Sequence, residues 1–508
     1  MKKLISLFAL AGVVTALVQP SAILAAAKPN IVLVMPDDMG WGDIAAHGHP
    51  FIKTPHLDRL HGESVRFTDF HVSPTCAPTR AALLTGRHEM KSGISHTILE
   101  RERMSLRATT LAQVLKGAGY TTGIFGKWHL GDEEAYRPGS RGFDEVYIHG
   151  AGGIGQTYPG TCGDFPDNKY FDPALLHNDR IVKTKGYCTD LFFTQAMKWV
   201  GEMKQAGKPF FAYVTPNAPH GPLISPGPQY DKLYEGKEIA GNKLNAGDVA
   251  YFSMISNIDD NVGKLLARLK ELGIENDTLV IFLSDNGGTH TKFFSGGFRG
   301  GKGSVYHGGT HAPSFWRWPA AFTGGVDSAA LSAHIDVLPT LAEISGAKLT
   351  GDVAKQVEGR SLFTLLKQPK SAWPDRTLVT HSGRWPAGQA AESKFKFSAI
   401  RDSRFRLVNN VELYDLKADP GESRNVITDH PDVLTKLRAA YDQWWTETQP
   451  LLVNENVIAP KMNPMKELYW KQFGGGPDED LLKRMDPASA SQGKKPVSAT
   501  RPSQTKQP

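Results

Sequence analysis

Residues 30–38 read NIVLVMPDD, an apolar run that ends in two adjacent carboxylates. A continuous apolar run of this length is typical of a strand that is buried on both faces, as in parallel sheets. Residues 210–214 (FFAYV) and 278–284 (TLVIFLS) follow the same plan, and polar residues come after each. Because helical stretches alternate with these runs, the sequence predicts an α/β fold with a largely parallel central sheet flanked by helices.

The two ends of the chain differ in composition from its body. Residues 1–27 open with lysines, continue through a short apolar stretch and end in alanines, which predicts a cleavable signal peptide and a periplasmic or secreted product. Residues 28–370 are predicted to form the main domain. Short strand patterns and one helix predict a smaller α+β domain with an antiparallel sheet over residues 371–470. Residues 471–508 are rich in Gly, Pro, Ser, Lys and Gln, which predicts a disordered tail.

Charge and hydropathy exclude two classes of partner. The net charge of the 508 residues is +6, but most of it lies in the predicted signal and in the basic tail. The body is close to neutral, which argues against a nucleic-acid partner. After the predicted signal, no stretch is long and apolar enough to cross a bilayer, so the mature protein is expected outside the membrane.

The cysteines also bear on the compartment, because disulfides persist in exported proteins. The chain has three: Cys76, Cys162 and Cys188. Cys162 and Cys188 flank a loop-rich insertion and are either paired or free. In both cases Cys76 is left over, and an odd thiol in an exported chain needs a function.

The residues that follow the predicted strands suggest a metal site. Ligands of parallel α/β sheets bind beyond the carboxyl ends of the strands. Asp37 and Asp38 follow one strand, and Asp285 and Asn286 follow another. Adjacent aspartates alone often only end a strand, but the two sets together offer oxygen ligands that favour calcium or magnesium over zinc.

Positive charge is predicted at the same edge of the sheet. Lys127 and His129 follow a third strand, His220 follows a fourth, and Lys302 stands in a glycine-rich loop. Singly, each is more often a surface lysine or a hydrogen-bonded histidine. Beside a metal, the four would neutralise an anionic substrate and the charge that grows on its leaving group.

Residues 76–86 read CAPTRAALLTG and resemble the first signature of the type I sulfatases, the formylglycine-dependent branch of the alkaline phosphatase superfamily. Residues 119–129 (GYTTGIFGKWH) look like their second signature. The likeness covers residue 30 to about residue 445 and continues through residues 284–288 (SDNGG), 299–303 (RGGKG) and 412–416 (ELYDL).

The resemblance implies a catalytic domain over residues 28–370 and a nucleophile made after translation. A maturation enzyme that recognises Pro78 and Arg80 would oxidise Cys76 to Cα-formylglycine. One hydroxyl of the hydrated aldehyde would attack sulfur and expel an alcohol or phenol, and the other would allow sulfate to leave. The implied calcium ligands (magnesium is less favoured) are Asp37, Asp38, Asp285, Asn286 and modified Cys76.

The same resemblance implies the roles of the remaining polar residues. Arg80 would hold the modified residue, and His129 would assist the elimination. Lys127 and Lys302 would bind the sulfate oxygens. His220 would lie near the bridging oxygen and protonate the leaving group. The resemblance thus predicts an enzyme that hydrolyses a sulfate monoester, either an aryl or a carbohydrate sulfate.

Two alternatives remain at this point. One is a phosphomonoester or phosphonate monoester hydrolase of the same superfamily, and the other is a carbohydrate-binding protein without catalysis. His307 and His311 stand where the family often has an acidic residue and an arginine. The loop of residues 150–188, with His47 and His49, is expected to line the mouth of the pocket.

Overall fold

The computed structural model describes residues 28–239 and 241–485; the predicted signal and residues 486–508 lie outside the described residues. The strands are, in chain order, β1 (Asn30–Val34), β2 (Val65–Phe67), β3 (Phe70–His71), β4 (Thr121–Lys127), β5 (Glu145–His149), β6 (Ala174–His177), β7 (Arg180–Lys183), β8 (Phe210–Thr215), β9 (Glu238–Ile239), β10 (Asn242–Lys243), β11 (Thr278–Leu283), β12 (Ser314–Arg317), β13 (Val326–Ser328), β14 (Ser332–Ala333), β15 (Leu378–His381), β16 (Ser398–Arg401), β17 (Phe405–Val408) and β18 (Glu412–Asp415).

The central sheet has ten strands in the order β13-β2-β12-β11-β1-β8-β4-β5-β6-β7. Its middle strands β11, β1, β8, β4 and β5 are parallel to one another. Antiparallel pairs occur only toward its two sides, where β12 pairs with β11 and β6 with β5. The predicted α/β class is confirmed. Since β11, β1, β8 and β4 are adjacent, the residues that follow them meet at one edge.

Helices cover both faces of this sheet, and another helix packs on the C-terminal antiparallel sheet. They are α1 (Pro55–Gly62), α2 (Cys76–Thr85), α3 (Leu111–Gly117), α4 (Cys188–Gln205), α5 (Pro228–Asp231), α6 (Ala246–Glu271), α7 (His307–Thr310), α8 (Val337–Ser345), α9 (Gly351–Gln356), α10 (Phe363–Lys367), α11 (Pro431–Thr448), α12 (Pro464–Phe473) and α13 (Glu479–Met485). Side chains of β1 alternate between the two cores, as the strand period requires. Leu33 packs with α2, α3 and α8, whereas Val34 packs with α1, α4 and α6.

The C-terminal part has its own antiparallel sheet, as predicted, in the order β15-β16-β17-β18. Helix α11 packs on it through Leu437 and Trp445. Beyond α11 the chain returns to the main domain, where Met465 of α12 joins the large core. Helix α13 lies within residues 471–508, for which the sequence predicts a disordered tail, and its residues Leu481 and Met485 are buried.

The thiols of Cys162 and Cys188 are free, so the disulfide that the sequence left open does not form. The Cys162 sulfur lies 3.9 Å from the Thr97 carbonyl oxygen, and Cys188 begins α4. Within the described residues no helix has the length and apolar character needed to cross a membrane.

Candidate active site

The polar residues that follow the four central strands lie together at one edge of the sheet, beside the N-terminus of α2. Lys127 Nζ lies 2.5 Å from Asp37 Oδ2, which joins the ends of β4 and β1. The backbone amide of Asp38 donates to Asp285 Oδ1 at 3.1 Å, which joins β1 to β11. The predicted convergence of these side chains is therefore present.

Cys76 is the first residue of α2 and is 3% exposed. Arg80 stands one turn later on the same face of the helix and is fully buried. Its Nη1 donates to the Lys127 carbonyl at 3.0 Å and its Nη2 to Asp285 Oδ2 at 2.8 Å. Burial alone would raise the pKa of the Cys76 thiol, but the nearby Lys127 and Lys302 ammonium groups outweigh it and lower the pKa.

Among the residues that the structure describes, Asp37 Oδ1 and Asn286 Oδ1 are buried at this edge without a hydrogen-bond partner. Buried polar atoms without partners are rare in native proteins. Burial raises the pKa of Asp37 to about 6 despite Lys127, and burial together with Asp37 raises that of Asp285 to about 6. Unpaired hard oxygens beside carboxylates that repel one another fit a divalent cation such as Ca²⁺.

Asp38 has the left-handed backbone conformation, with φ 70°. Asn286 Nδ2 donates to Asp38 Oδ1 at 2.9 Å, and Lys302 Nζ lies 2.6 Å from the same Asp38 oxygen. Burial would raise the pKa of Asp38, but Lys302 and His220 outweigh it and hold the pKa below its usual range. Asp38 therefore stays ionised between Asn286 on one side and the Lys302 and His220 side chains on the other.

His129 and His220 are each held through one nitrogen of the ring. His129 Nε2 lies 2.7 Å from the Thr97 carbonyl oxygen, and its buried Nδ1 has no partner. His220 Nδ1 lies 2.7 Å from the Gly221 carbonyl oxygen, which leaves Nε2 toward Asp38 Oδ2 at 3.9 Å. Burial lowers the pKa of both rings. Each histidine thus presents one free nitrogen from a fixed ring.

The loop that starts at residue 150 closes over these histidines. A side chain at Gly152 would place its Cβ 2.5 Å from His129 Cε1, and one at Gly153 would lie 3.2 Å from His220 Cε1. At residue 152 a side chain would displace the His129 ring, so this close approach requires glycine. His47 and His49, expected at the pocket mouth, instead pack in aromatic clusters: His47 stacks on Trp41, and His49 meets Phe252 edge-on.

Residues that support the site were not found by sequence reasoning. Tyr251 of α6 has its hydroxyl 3.1 Å from the Asp38 carbonyl oxygen and 2.7 Å from Asp43 Oδ2. The Tyr170 hydroxyl donates to the His220 carbonyl oxygen. No local pattern marks either tyrosine, because each acts on a residue far away in the chain.

His307 and His311 lie in a second cluster with His71. His307 Nδ1 and Nε2 have no partner, and its ring stacks on Phe298 with centroids 4.4 Å apart. His71 and His307 come close enough to Asp69 to share a cation, but Arg401 already donates to both Asp69 oxygens. This cluster is therefore a packed ion-pair site, and it contains His307 and His311, two of the residues that depart from the family pattern.

Comparison with known proteins identifies the relatives of this chain. A family model for sulfatases matches residues 29–347, and one for the C-terminal part of N-sulphoglucosamine sulphohydrolase matches residues 300–444. Arylsulfatase A of Bos taurus is 32% identical over 459 residues, which are 82% of this chain and 87% of the relative. N-acetylgalactosamine-6-sulfatase of Mus musculus is 32% identical over 369 residues, 67% and 66% of the two chains. The crystal structure of Ps i-CgsB in complex with k-i-k-neocarrahexaose is similar with TM-score 0.72 and 27% identity, over 89% of this chain and 99% of that one.

Proposed function

Because this chain belongs to the sulfatase family and is a sulfuric ester hydrolase, we propose that it cleaves aryl or carbohydrate sulfate monoesters with residue 76, oxidised to Cα-formylglycine, as the nucleophile. One observation carries the proposal. Cys76 opens α2, and Arg80 on the same helix face is bonded to Asp285 and to the Lys127 backbone. Arg80 thus links the helix that begins with Cys76 to Asp285, one of the proposed metal ligands, and to the end of β4.

Formylglycine in its hydrated form supplies two hydroxyls, one to attack sulfur and one whose deprotonation releases sulfate. The protein must hold this residue still and help to ionise it. The Arg80 guanidinium lies one turn away and is fixed at both of its terminal nitrogens. His129 keeps Nδ1 free in the buried site, where it can take the proton that sulfate release requires.

We propose that Asp37, Asp38, Asp285 and Asn286, with modified residue 76, hold Ca²⁺. The unpartnered oxygens of Asp37 and Asn286 support this assignment. Bound calcium would supply positive charge beside the nucleophile. Lys127 and Lys302 add two ammonium groups at the same place, and these are suited to binding sulfate oxygens.

The proton for the leaving group is assigned to His220. Its Nδ1–H donates to the Gly221 carbonyl oxygen, so Nε2 is the nitrogen that would take up a second proton and pass it to the leaving group. The Asp38 carboxylate, 3.9 Å from Nε2, favours this charged form of the ring against the effect of burial. General-acid assistance matters most for poor leaving groups such as sugar alcohols. A His220 that faces the outer side of the site is consistent with a carbohydrate ester.

The cellular setting follows from the ends of the sequence. The pattern of residues 1–27 supports export to the periplasm or the exterior. Oxidation of Cys76 requires a maturation enzyme as a partner, which would have to act before α2 buries the thiol.

Peptide mass spectrometry on residue 76, combined with activity on 4-nitrophenyl sulfate and 4-nitrophenyl phosphate, tests the proposal. We expect an aldehyde in place of the thiol, faster hydrolysis of the sulfate ester, and no turnover by Cys76→Ala. Active protein with an unmodified Cys76 would contradict the mechanism. Faster hydrolysis of the phosphate ester would favour the phosphomonoesterase alternative.

A further inference from the structure

The side chains of the proposed catalytic cluster differ in their exposure to solvent. The side chains of Lys302 and His220 are 21% and 12% exposed, whereas those of Asp37, Asp38 and Lys127 are 4% exposed or less. A sulfate group bound between the buried cations must therefore project its leaving group past His220 and Lys302.

A cavity of about 510 Å³ lies beside the segment that follows His220. Gly221 and Pro222, which follow His220 directly, form one wall. Gln156 also lines the cavity, and a Cβ built on Gly153 would lie 3.0 Å from Gln156 Cδ and 3.2 Å from His220 Cε1. The cavity thus begins one residue away from the proposed general acid.

The cavity wall is apolar, exposed and rigid. Phe171 is 45% exposed and Ile224 is 40% exposed, although large apolar side chains are normally covered. The Phe171 ring packs on Tyr187 with centroids 5.1 Å apart, and the Tyr187 hydroxyl donates to the Ile224 carbonyl at 2.9 Å. One tyrosine therefore fixes both apolar residues in place.

The rim of the cavity is polar. Gln156 and Lys169 both line it. Within residues 28–239 and 241–485, neither side chain has a hydrogen bond or ion pair to another group. A free ammonium and a free amide beside an exposed aromatic ring suit a ligand with an apolar ring face, hydroxyls and a negative charge.

We propose that this cavity is the leaving-group subsite and that it selects a sulfated oligosaccharide. One sugar ring packs on Phe171, and Lys169 binds a second anionic substituent such as another sulfate or a carboxylate. The inference rests on the proposed function and names its substrate class. A simple aryl sulfate has one ring and no second charge, so it would leave Gln156 and Lys169 unused. A cavity of this volume holds more than one ring.

Three substrates test the subsite: 4-nitrophenyl sulfate, a disaccharide with one sulfate, and the same disaccharide with two. We expect the wild-type protein to have the highest kcat/KM on the disulfated sugar. Phe171→Ala should lower the ratio of kcat/KM for the disaccharides to that for the aryl ester by about fivefold to tenfold. Lys169→Met should lower the preference for two sulfates over one by about threefold, and added salt should reduce this loss.

Matched controls are Phe397→Ala and Lys370→Met, which change exposed residues in or near the C-terminal part of the chain. Neither should alter the two ratios. Binding of the disulfated disaccharide to Cys76→Ala, measured by calorimetry, gives a readout without turnover; adding Phe171→Ala should weaken it about fivefold to tenfold.

Unchanged ratios in Phe171→Ala and Lys169→Met would overturn the subsite, as would a wild-type preference for the aryl ester. Hydrolysis of none of the three esters by protein that carries formylglycine would instead overturn the proposed function itself. The two failures are therefore distinguishable.

Discussion

Arg80 Nη2 lies 2.8 Å from Asp285 Oδ2, with both side chains at most 1% exposed. The pair joins the helix that carries Cys76 to the strand end that carries Asp285 and Asn286. Breaking a buried ion pair leaves an uncompensated charge, which costs far more than the loss of a surface pair. The position of the proposed nucleophile and the stability of the core thus depend on the same contact.

Arg80→Lys should therefore affect both activity and stability. Lysine cannot donate to the Lys127 carbonyl and to Asp285 together, since it lacks the planar fork of arginine. We expect kcat to fall at least about 100-fold and the free energy of unfolding to fall by about 3 kcal/mol. Arg404→Lys is the control, because the Arg404 side chain is 53% exposed where it pairs with Asp415. Equal effects of the two changes on stability and kcat would contradict this role.

Asn286→Ala should weaken calcium binding. The change removes a buried oxygen that has no protein partner, whereas Ca²⁺ prefers such amide and carboxylate oxygens. Added calcium should raise the melting temperature of the wild-type protein, since a ligand that binds only the folded state stabilises it. We expect a much smaller rise in Asn286→Ala at the same calcium concentration.

Asn257→Ala is a matched control for that experiment. Asn257 is also buried, and its Oδ1 also lacks a partner, but its Nδ2 donates to Asp190 between α6 and α4. Its calcium-induced rise in melting temperature should equal that of the wild-type protein. Loss of the rise in both variants would mean that the effect follows from general destabilisation.

The sequence was sufficient for the central sheet and for the place of the site, for a physical reason. Runs such as residues 30–35 are continuous and apolar because parallel strands are buried on both faces. Residues after adjacent parallel strands must meet, so Asp37 and Asp285 could be paired without knowledge of the structure. Their individual roles came from the resemblance of residues 76–86 to a family signature.

What the sequence could not give depends on contacts between distant segments. Tyr251 reaches Asp38 across 213 residues and has the pattern of any buried helix residue. His47 and His49 look like site residues, but the contacts of His47 with Trp41 (stacked) and of His49 with Phe252 (edge-on) could not be read from the sequence.

Asp132→Asn should make the stability of the protein less dependent on pH. Burial raises the pKa of Asp132 from 3.8 to about 8, while the Ala151 amide donates to its Oδ2 at 3.0 Å. The folded state therefore holds a proton that the unfolded state releases. The resulting stabilisation is full below pH 3.8 and is lost as pH rises toward 8. Asparagine has no such proton, so the variant should gain stability relative to wild type between pH 5 and pH 8.

Urea unfolding at pH 5 and pH 8 measures this gain. Asp179→Asn, which changes an exposed aspartate, is the control and should show the same difference from wild type at both pH values. A difference between Asp132→Asn and wild type that does not change with pH would contradict the assignment.

Asn463→Ala should lower activity as well as stability, because the C-terminal segment holds the loop over the site. Asn463 is fully buried, and its Nδ2 donates to the Tyr158 carbonyl at 2.9 Å and to the Gly160 carbonyl at 2.6 Å. This loop also brings Gly152 against His129. Loss of both bonds should lower the free energy of unfolding by about 1–3 kcal/mol, and a looser loop should reduce kcat several-fold.

Asn454→Ala separates the two effects. Asn454 Nδ2 likewise donates to two carbonyls, those of Gly93 at 2.9 Å and Arg103 at 2.7 Å, but these lie outside the loop. Both variants should lose similar stability in urea unfolding. At a temperature where both are folded, only Asn463→Ala should show a lower kcat on 4-nitrophenyl sulfate. Equal kcat values for the two variants would show that the C-terminal segment stabilises the fold without positioning the loop that covers His129.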